Sequence, residues 1–77
     1  MRTGIILSYN RAARYGFVKD INGQKIRFYN EDPLTFFQRL DVVRFRIAFI
    51  GSCLRAVNVI HVIDKHGKTI SMRTMIN

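Results

Sequence analysis

Between Arg14 and Tyr29 the chain reads RYGFVKDINGQKIRFY. Tyr15, Phe17 and Tyr29 fall at alternating positions there, with Arg14 and Arg27 close by. Flat rings beside guanidinium groups have a definite chemistry. A ring offers its π-face to an unpaired base whatever that base is. An arginine offers a cation–π contact or a forked donor for phosphate. The whole chain leans the same way: thirteen Lys and Arg against five Asp and Glu leave a net charge of +8 over 77 residues. Such a balance points to a polyanion, either nucleic acid or an anionic membrane surface. Solubility alone is the other reading of the charge, and a dimer interface or packing beneath the C-terminal segment is the other reading of the rings.

Whether the rings face outward depends on the turn between them. A two-residue type I′ turn at Asn22-Gly23 would set Val18 on the same side as Arg27 and mix apolar with charged residues on one face. A three-residue loop, Ile21-Asn22-Gly23 with Gly23 left-handed in a G1 bulge, moves the pairing by one. Val18 then opposes Ile26 and Gly16 opposes Phe28 on one side, while Phe17 opposes Arg27 and Tyr15 opposes Tyr29 on the other. A register step of one residue flips every side chain, so the clean sorting selects the bulged loop. Val18, Ile26 and Phe28 become core. In a small closed barrel a strand has one interior face, so the rings meet solvent, a partner or a ligand.

The elements that must carry this hairpin are also β-like. GIILSY is β-prone, and VVRFRI alternates, with Val43, Phe45 and Ile47 on one face and Arg44 and Arg46 on the other. Arg44 and Arg46 are expected to point away from the rings as a solvated strand face that resists edge pairing. LRAVNVIHVI is rich in β-branched residues, and only NEDPLTFFQRL breaks the pattern, with Pro33 suiting a helix start, a 3₁₀ start or a loop. At 48% hydrophobic residues the chain has enough apolar side chains for a core and too many for a disordered tail. The reading is one all-β domain, a small barrel or sandwich.

At these residues the sequence resembles the cold-shock domain, a five-stranded OB-fold barrel that binds single-stranded RNA and DNA. GIILSYN followed by RAARYGFV has the layout of that family's first strand and first ribonucleoprotein motif, which falls here on Ala13-Arg14-Tyr15-Gly16-Phe17-Val18. The second motif falls on Ile26-Arg27-Phe28-Tyr29-Asn30, VVRFRI is similar to the fourth strand, and RAVNV to the fifth. The likeness spans about residues 3–60. It implies a five-stranded antiparallel OB-fold barrel over residues 1–60, with residues 61–77 as an extension packed on or continuing it. It also implies that Tyr9, Asn10, Arg11, Arg14, Tyr15, Phe17, Arg27 and Tyr29 contact nucleic acid. Phe36 and Phe37 join them, one at the binding surface and one anchoring the loop. The family's first-strand Lys-Trp stands here as Leu7-Ser8, its motif Lys-Gly as Ala13-Arg14, and the last Phe of its second motif as Asn30. Chemistry shifts accordingly from stacking toward phosphate contact, and Arg27, across from Phe17, is read as adding a cation–π contact or meeting phosphate.

The extension repeats the Asp-x-x-Gly signal of the first hairpin, Asp64 to Gly67 echoing Asp20 to Gly23. The same bulged geometry sets Ile60 opposite Met72 and Val62 opposite Ile70. This added hairpin is expected to cover a barrel edge or to make a homodimer. Cys53, His61 and His66 are too sparse for a metal site, and no cofactor is expected. Cys53 is read as buried or incidental, the histidines as exposed turn or strand residues. One cysteine fits a reducing, cytoplasmic setting. The apolar runs are too short for a membrane helix, and MRTGIILSYNR does not read as a secretory signal. No Ser/His/Asp set, carboxylate pair or phosphate loop is visible, so neither an enzyme nor a small-molecule substrate is expected. The expected function is a single-stranded RNA or DNA binder, an RNA chaperone or a regulator of transcription or translation. The alternative is an OB-type module that docks a protein or the ribosome.

Overall fold

A computed structural model describes residues 1–72. Five strands form a closed barrel: β1 (Arg2–Asn10), β2 (Tyr15–Asp20), β3 (Lys25–Tyr29), β4 (Val42–Ile50) and β5 (Cys53–His61). Their order around the barrel is β1-β2-β3-β5-β4, and β1 pairs with β4 to close it. The alternation leaves a small barrel or a sandwich open, and the structure is the closed all-β barrel, in the OB-like form that the resemblance implies. One seam departs from the expected antiparallel pattern. β3 and β5 run parallel, because the chain crosses the barrel through β4 before β5 returns beside β3. That seam has only two paired positions, Arg27 with Arg55 and Phe28 with Ala56.

The core is Ile6, Val18, Ile26, Phe28, Phe37, Val43, Phe45 and Ala56. The first hairpin has the bulged register: Tyr15 pairs with Tyr29, Gly16 with Phe28, Phe17 with Arg27 and Val18 with Ile26. Gly23 lies at φ 83, and its N–H donates to the Asp20 carbonyl at 3.0 Å. Asp20 completes the turn by accepting the backbone N–H groups of Asn22 and Gln24 on Oδ1. Gly16 has a different reason to lack a side chain. β1 crosses so close that a Cβ there would run into the Ser8 carbonyl oxygen.

Two bulges change which way side chains point. In β1 the pairing with β2 slips between Ile6 and Ser8, leaving Leu7 unmatched. In β5 the pairing with β4 slips between Arg44 and Arg46, and Asn58 beside the slip takes φ 54, a left-handed conformation that asparagine tolerates better than most residues. Residues after each bulge sit on the side opposite to plain alternation. Tyr9, Val59 and His61 therefore turn inward.

Residues 30–41 form a loop with turns, so of the readings open for Pro33 the loop is the one found. The C-terminal segment makes its expected turn, with Gly67 at φ 76 and its N–H on the Asp64 carbonyl. Ile70 donates to the Val62 carbonyl, in the expected register. The expected Ile60–Met72 pair does not form. Ile60 is already paired with Arg44 of β4, and the returning arm leaves β5 for the start of β4, where Met72 donates to the Leu40 carbonyl. Residues 73–77 of the expected extension lie outside the described residues.

The two glycines should respond differently. Gly23→Val is expected to cost about 1–2 kcal/mol through left-handed strain alone, since nothing crowds the site. Gly16→Ala should cost about 3 kcal/mol or more, because β1 must move. Urea midpoints on the two variants check the order, and an equal cost would contradict the close β1–β2 contact.

Candidate nucleic-acid interface

Sheet alternation brings Tyr15 and Phe17 of β2 and Lys25, Arg27 and Tyr29 of β3 to one outer face, while Val18, Ile26 and Phe28 fill the interior. Tyr29 is 54% exposed. Cations lie over the rings. Lys25 Nζ is 4.3 Å from the Phe17 ring centre, and the Arg27 guanidinium is 4.7 Å from that of Tyr15. Phe17 pairs with Arg27 as expected, while the cation–π contacts run diagonally, Lys25 to Phe17 and Arg27 to Tyr15, as cross-strand side chains lean along the strands. Lys25 is a member of this face that the motif comparison passed over, although its alternation with Arg27 marks it.

The β1–β2 turn supplies two more cations. The Asn10 side chain does not face a ligand freely; its Oδ1 accepts the Ala13 N–H at 2.9 Å and shapes the turn. Arg14 takes φ 58 there, a left-handed conformation at the position where the motif comparison expects glycine. Its Nη2 donates to the Tyr29 hydroxyl at 2.8 Å, and its guanidinium lies 5.4 Å from the ring centre. That bond raises the pKa of a group charged at any ordinary pH. Arg11 lies 4.3 Å from the centre of the Phe36 ring.

Two expected rings are elsewhere. Tyr9, turned inward by the β1 bulge, stacks on Phe28 at 6.0 Å between centres, and its hydroxyl accepts from Asn30 Nδ2. Phe37 is 3% exposed and meets Tyr9 and Phe28 edge-on, so it anchors the loop. Phe36, 44% exposed, is the loop ring at the surface. His61 is not a free surface histidine. Its ring lies 4.6 Å from that of Phe37, and Nε2 is 3.1 Å from Asp41 Oδ2. His66 is exposed in its turn as expected, and Cys53 is exposed, which removes the buried alternative. Among the described residues no three His, Cys, Asp or Glu come together as a metal group. No helix of the described residues is long and apolar enough to cross a membrane.

Beside the ring face a cleft of about 600 Å³ opens between β3 and β5. Tyr15, Arg27 and Tyr29 line one side, and Arg55, Asn58 and Ile50 the other. Sequence reasoning missed this second wall, because only the parallel seam brings β5 to β3. Charge is unevenly distributed around it. Four of the five carboxylates, Asp20, Asp32, Asp41 and Asp64, accept backbone N–H groups in turns and loops. The Thr35 hydroxyl and the Leu34 N–H hold the Asp32 carboxyl below its usual range. Four carboxylates thus serve turns and loops, and none lies among the outward residues Tyr15, Phe17, Lys25, Arg27 and Tyr29 of β2 and β3.

The placement of the two loop rings has a direct consequence. Phe37→Ala should lose about 3–5 kcal/mol of stability, whereas Phe36→Ala should change it by no more than about 0.5 kcal/mol. Thermal melts of the two variants decide, and a reversed order would put Phe37 outside the core. Comparison of the chain with protein-family models returns no match, and neither does comparison with curated protein sequences.

Proposed function

We propose that the protein binds single-stranded RNA or DNA as a cold-shock-like module. One observation carries the reading: Tyr15, Phe17 and Tyr29 lie on the outer face of β2 and β3 with Arg14, Lys25 and Arg27 against them. Bases stack on such rings in any sequence, and the cations meet the phosphates. Stacking captures bases only when they are unpaired, so binding pulls weak RNA structure toward the open state. That is the action of an RNA chaperone, or of a regulator of transcription or translation. A cytoplasmic setting, with its single cysteine kept reduced, belongs to the same proposal. No chemical step is part of it.

A second reading has its own observation. Phe49 and Ile50, 74% and 60% exposed, stand together at the end of β4. Two large apolar side chains left in water are surface a protein partner would cover, so an OB-type module that touches a protein or the ribosome is the alternative. A homodimer through the C-terminal extension would be a further use of surface outside the ring face.

Titration with labelled oligo-dT and oligo-U at two salt concentrations separates the readings. Binding that weakens as salt rises is expected, and no binding at low salt would exclude the first reading. Tyr15→Ala, Phe17→Ala and Tyr29→Ala should each weaken binding by roughly 1–3 kcal/mol with the fold intact. Variants that stay folded and bind as tightly as the native chain would show that the rings are not a stacking platform.

A further inference from the structure

The parallel seam places two arginines directly opposite each other, Arg27 on β3 and Arg55 on β5. Their neighbours Phe28 and Ala56 both point into the core, so both arginines point outward. Paired positions on adjacent strands lie about 4.8 Å apart, and like charges directly opposite each other destabilise a sheet. Among the described residues neither arginine has an ion pair with a carboxylate. Arg27 is held against the Tyr15 ring, and Arg55 donates one N–H to the Leu54 carbonyl at 3.2 Å. Each guanidinium therefore keeps further N–H donors for another group. Both line the cleft between β3 and β5.

The acidic residues of the cleft sharpen the placement. Glu31 and Asp32 follow Tyr29 in the chain and line the same cleft, as do Asn58 and Val59 of β5. The two arginines at the seam are the cationic groups of the cleft, away from Glu31 and Asp32 in the chain. Two adjacent planar guanidinium forks fit an anion with several acceptor oxygens, and a phosphodiester presents that geometry.

We propose that Arg27 and Arg55 clamp one phosphate of a bound single strand, fixing where its backbone crosses from the β2–β3 rings to β5. This inference rests on the single-strand reading above. It adds a particular phosphate site, and Arg55 as a residue that positions the strand.

The test uses a short oligouridylate in which an uncharged methylphosphonate replaces one phosphate at a time. With the native chain, one position should weaken binding roughly tenfold, the effect of losing a hydrogen-bonded charge contact. Arg55→Ala should weaken the unmodified strand to a similar degree. Arg55→Lys should keep the salt dependence but recover only part of the affinity, because an ammonium lacks the fork. In the double variant, Arg27→Ala with Arg55→Ala, the sensitive position should lose its effect. The slope of log K against log salt should flatten by about 0.7, the share of one phosphate on a single strand, and not by twice that. Arg44→Ala, on the exposed face of β4, serves as the control. Equal affinity at every methylphosphonate position would overturn the clamp, as would Arg55→Ala binding like the native chain or a double variant that still discriminates. The scan on the native chain needs no substitution, so misfolding of a variant cannot hide the answer. If the native chain binds no oligonucleotide at all, the single-strand reading fails and the clamp fails with it; if it binds without a sensitive phosphate, only the clamp fails.

Discussion

A left-handed backbone at Gly23 decides which side of the barrel every residue from Tyr15 to Tyr29 occupies. With the shorter turn, Arg27 would share a face with Val18, and one of them would have to be buried beside the other's environment. An unpaired guanidinium in the core is far more costly than an apolar residue in water, so the alternative register has no stable barrel. The bulged loop removes that conflict and leaves the rings outside as a consequence. Asp20 locks it by accepting two backbone N–H groups of the loop on one carboxylate oxygen. The surface chemistry of β2 and β3 is thus an outcome of turn geometry.

Rings on a wet surface still need a stable resting state. The cations provide it. An exposed cation–π contact is worth about 0.5–1 kcal/mol, enough to hold Lys25 over Phe17 and Arg27 over Tyr15 without trapping them. On the proposed reading a base must take the place of the cation above the ring. Stacking of a base on an aromatic side chain is worth about 1–3 kcal/mol, so the exchange favours the base. The displaced cation also moves toward the phosphate that the base brings with it. Cover and ligand-binding group are then the same residue, and the rings never stand bare.

Much of this was legible in the residues. Alternation and the Asn22-Gly23 loop are local signals, and they were sufficient for the strands, the first-hairpin register, the outer rings and the core of Val18, Ile26 and Phe28. What could not be read was where alternation breaks. The bulge at Leu7 has no glycine or proline to mark it, yet it turns Tyr9 from the outer face into the core. The slip beside Asn58 does the same for His61, whose partner Asp41 lies twenty residues away in sequence. The cleft was hidden for a related reason. Its second wall is on β5, and Arg55 meets Arg27 only through a crossover pairing that no local pattern records. Phe36 and Phe37 were adjacent and chemically alike, so only the packing around Tyr9 and Phe28 could tell them apart.

Asn30 connects these corrections to the outer face. It is buried, and its backbone N–H donates to the Arg14 carbonyl at 2.7 Å. Its side-chain nitrogen donates to the Tyr9 hydroxyl and to the Thr35 carbonyl, and its oxygen accepts the Asp32 N–H. An apolar residue of similar size would leave those groups without a partner, at about 1–3 kcal/mol for each buried one. The gain from the amide is positional. It ties the inward tyrosine, the β1–β2 turn and the 30–41 loop to the residue that immediately follows Tyr29. Arg14, held by the same turn, donates to the Tyr29 hydroxyl from the other side. The outermost ring is thereby ordered before anything binds. Ordering a side chain on association costs about 0.5–1.5 kcal/mol, and on the proposed reading a ring fixed in advance avoids most of that cost. In this barrel a buried polar residue, standing where the resemblance implies an aromatic one, braces the ring beside it.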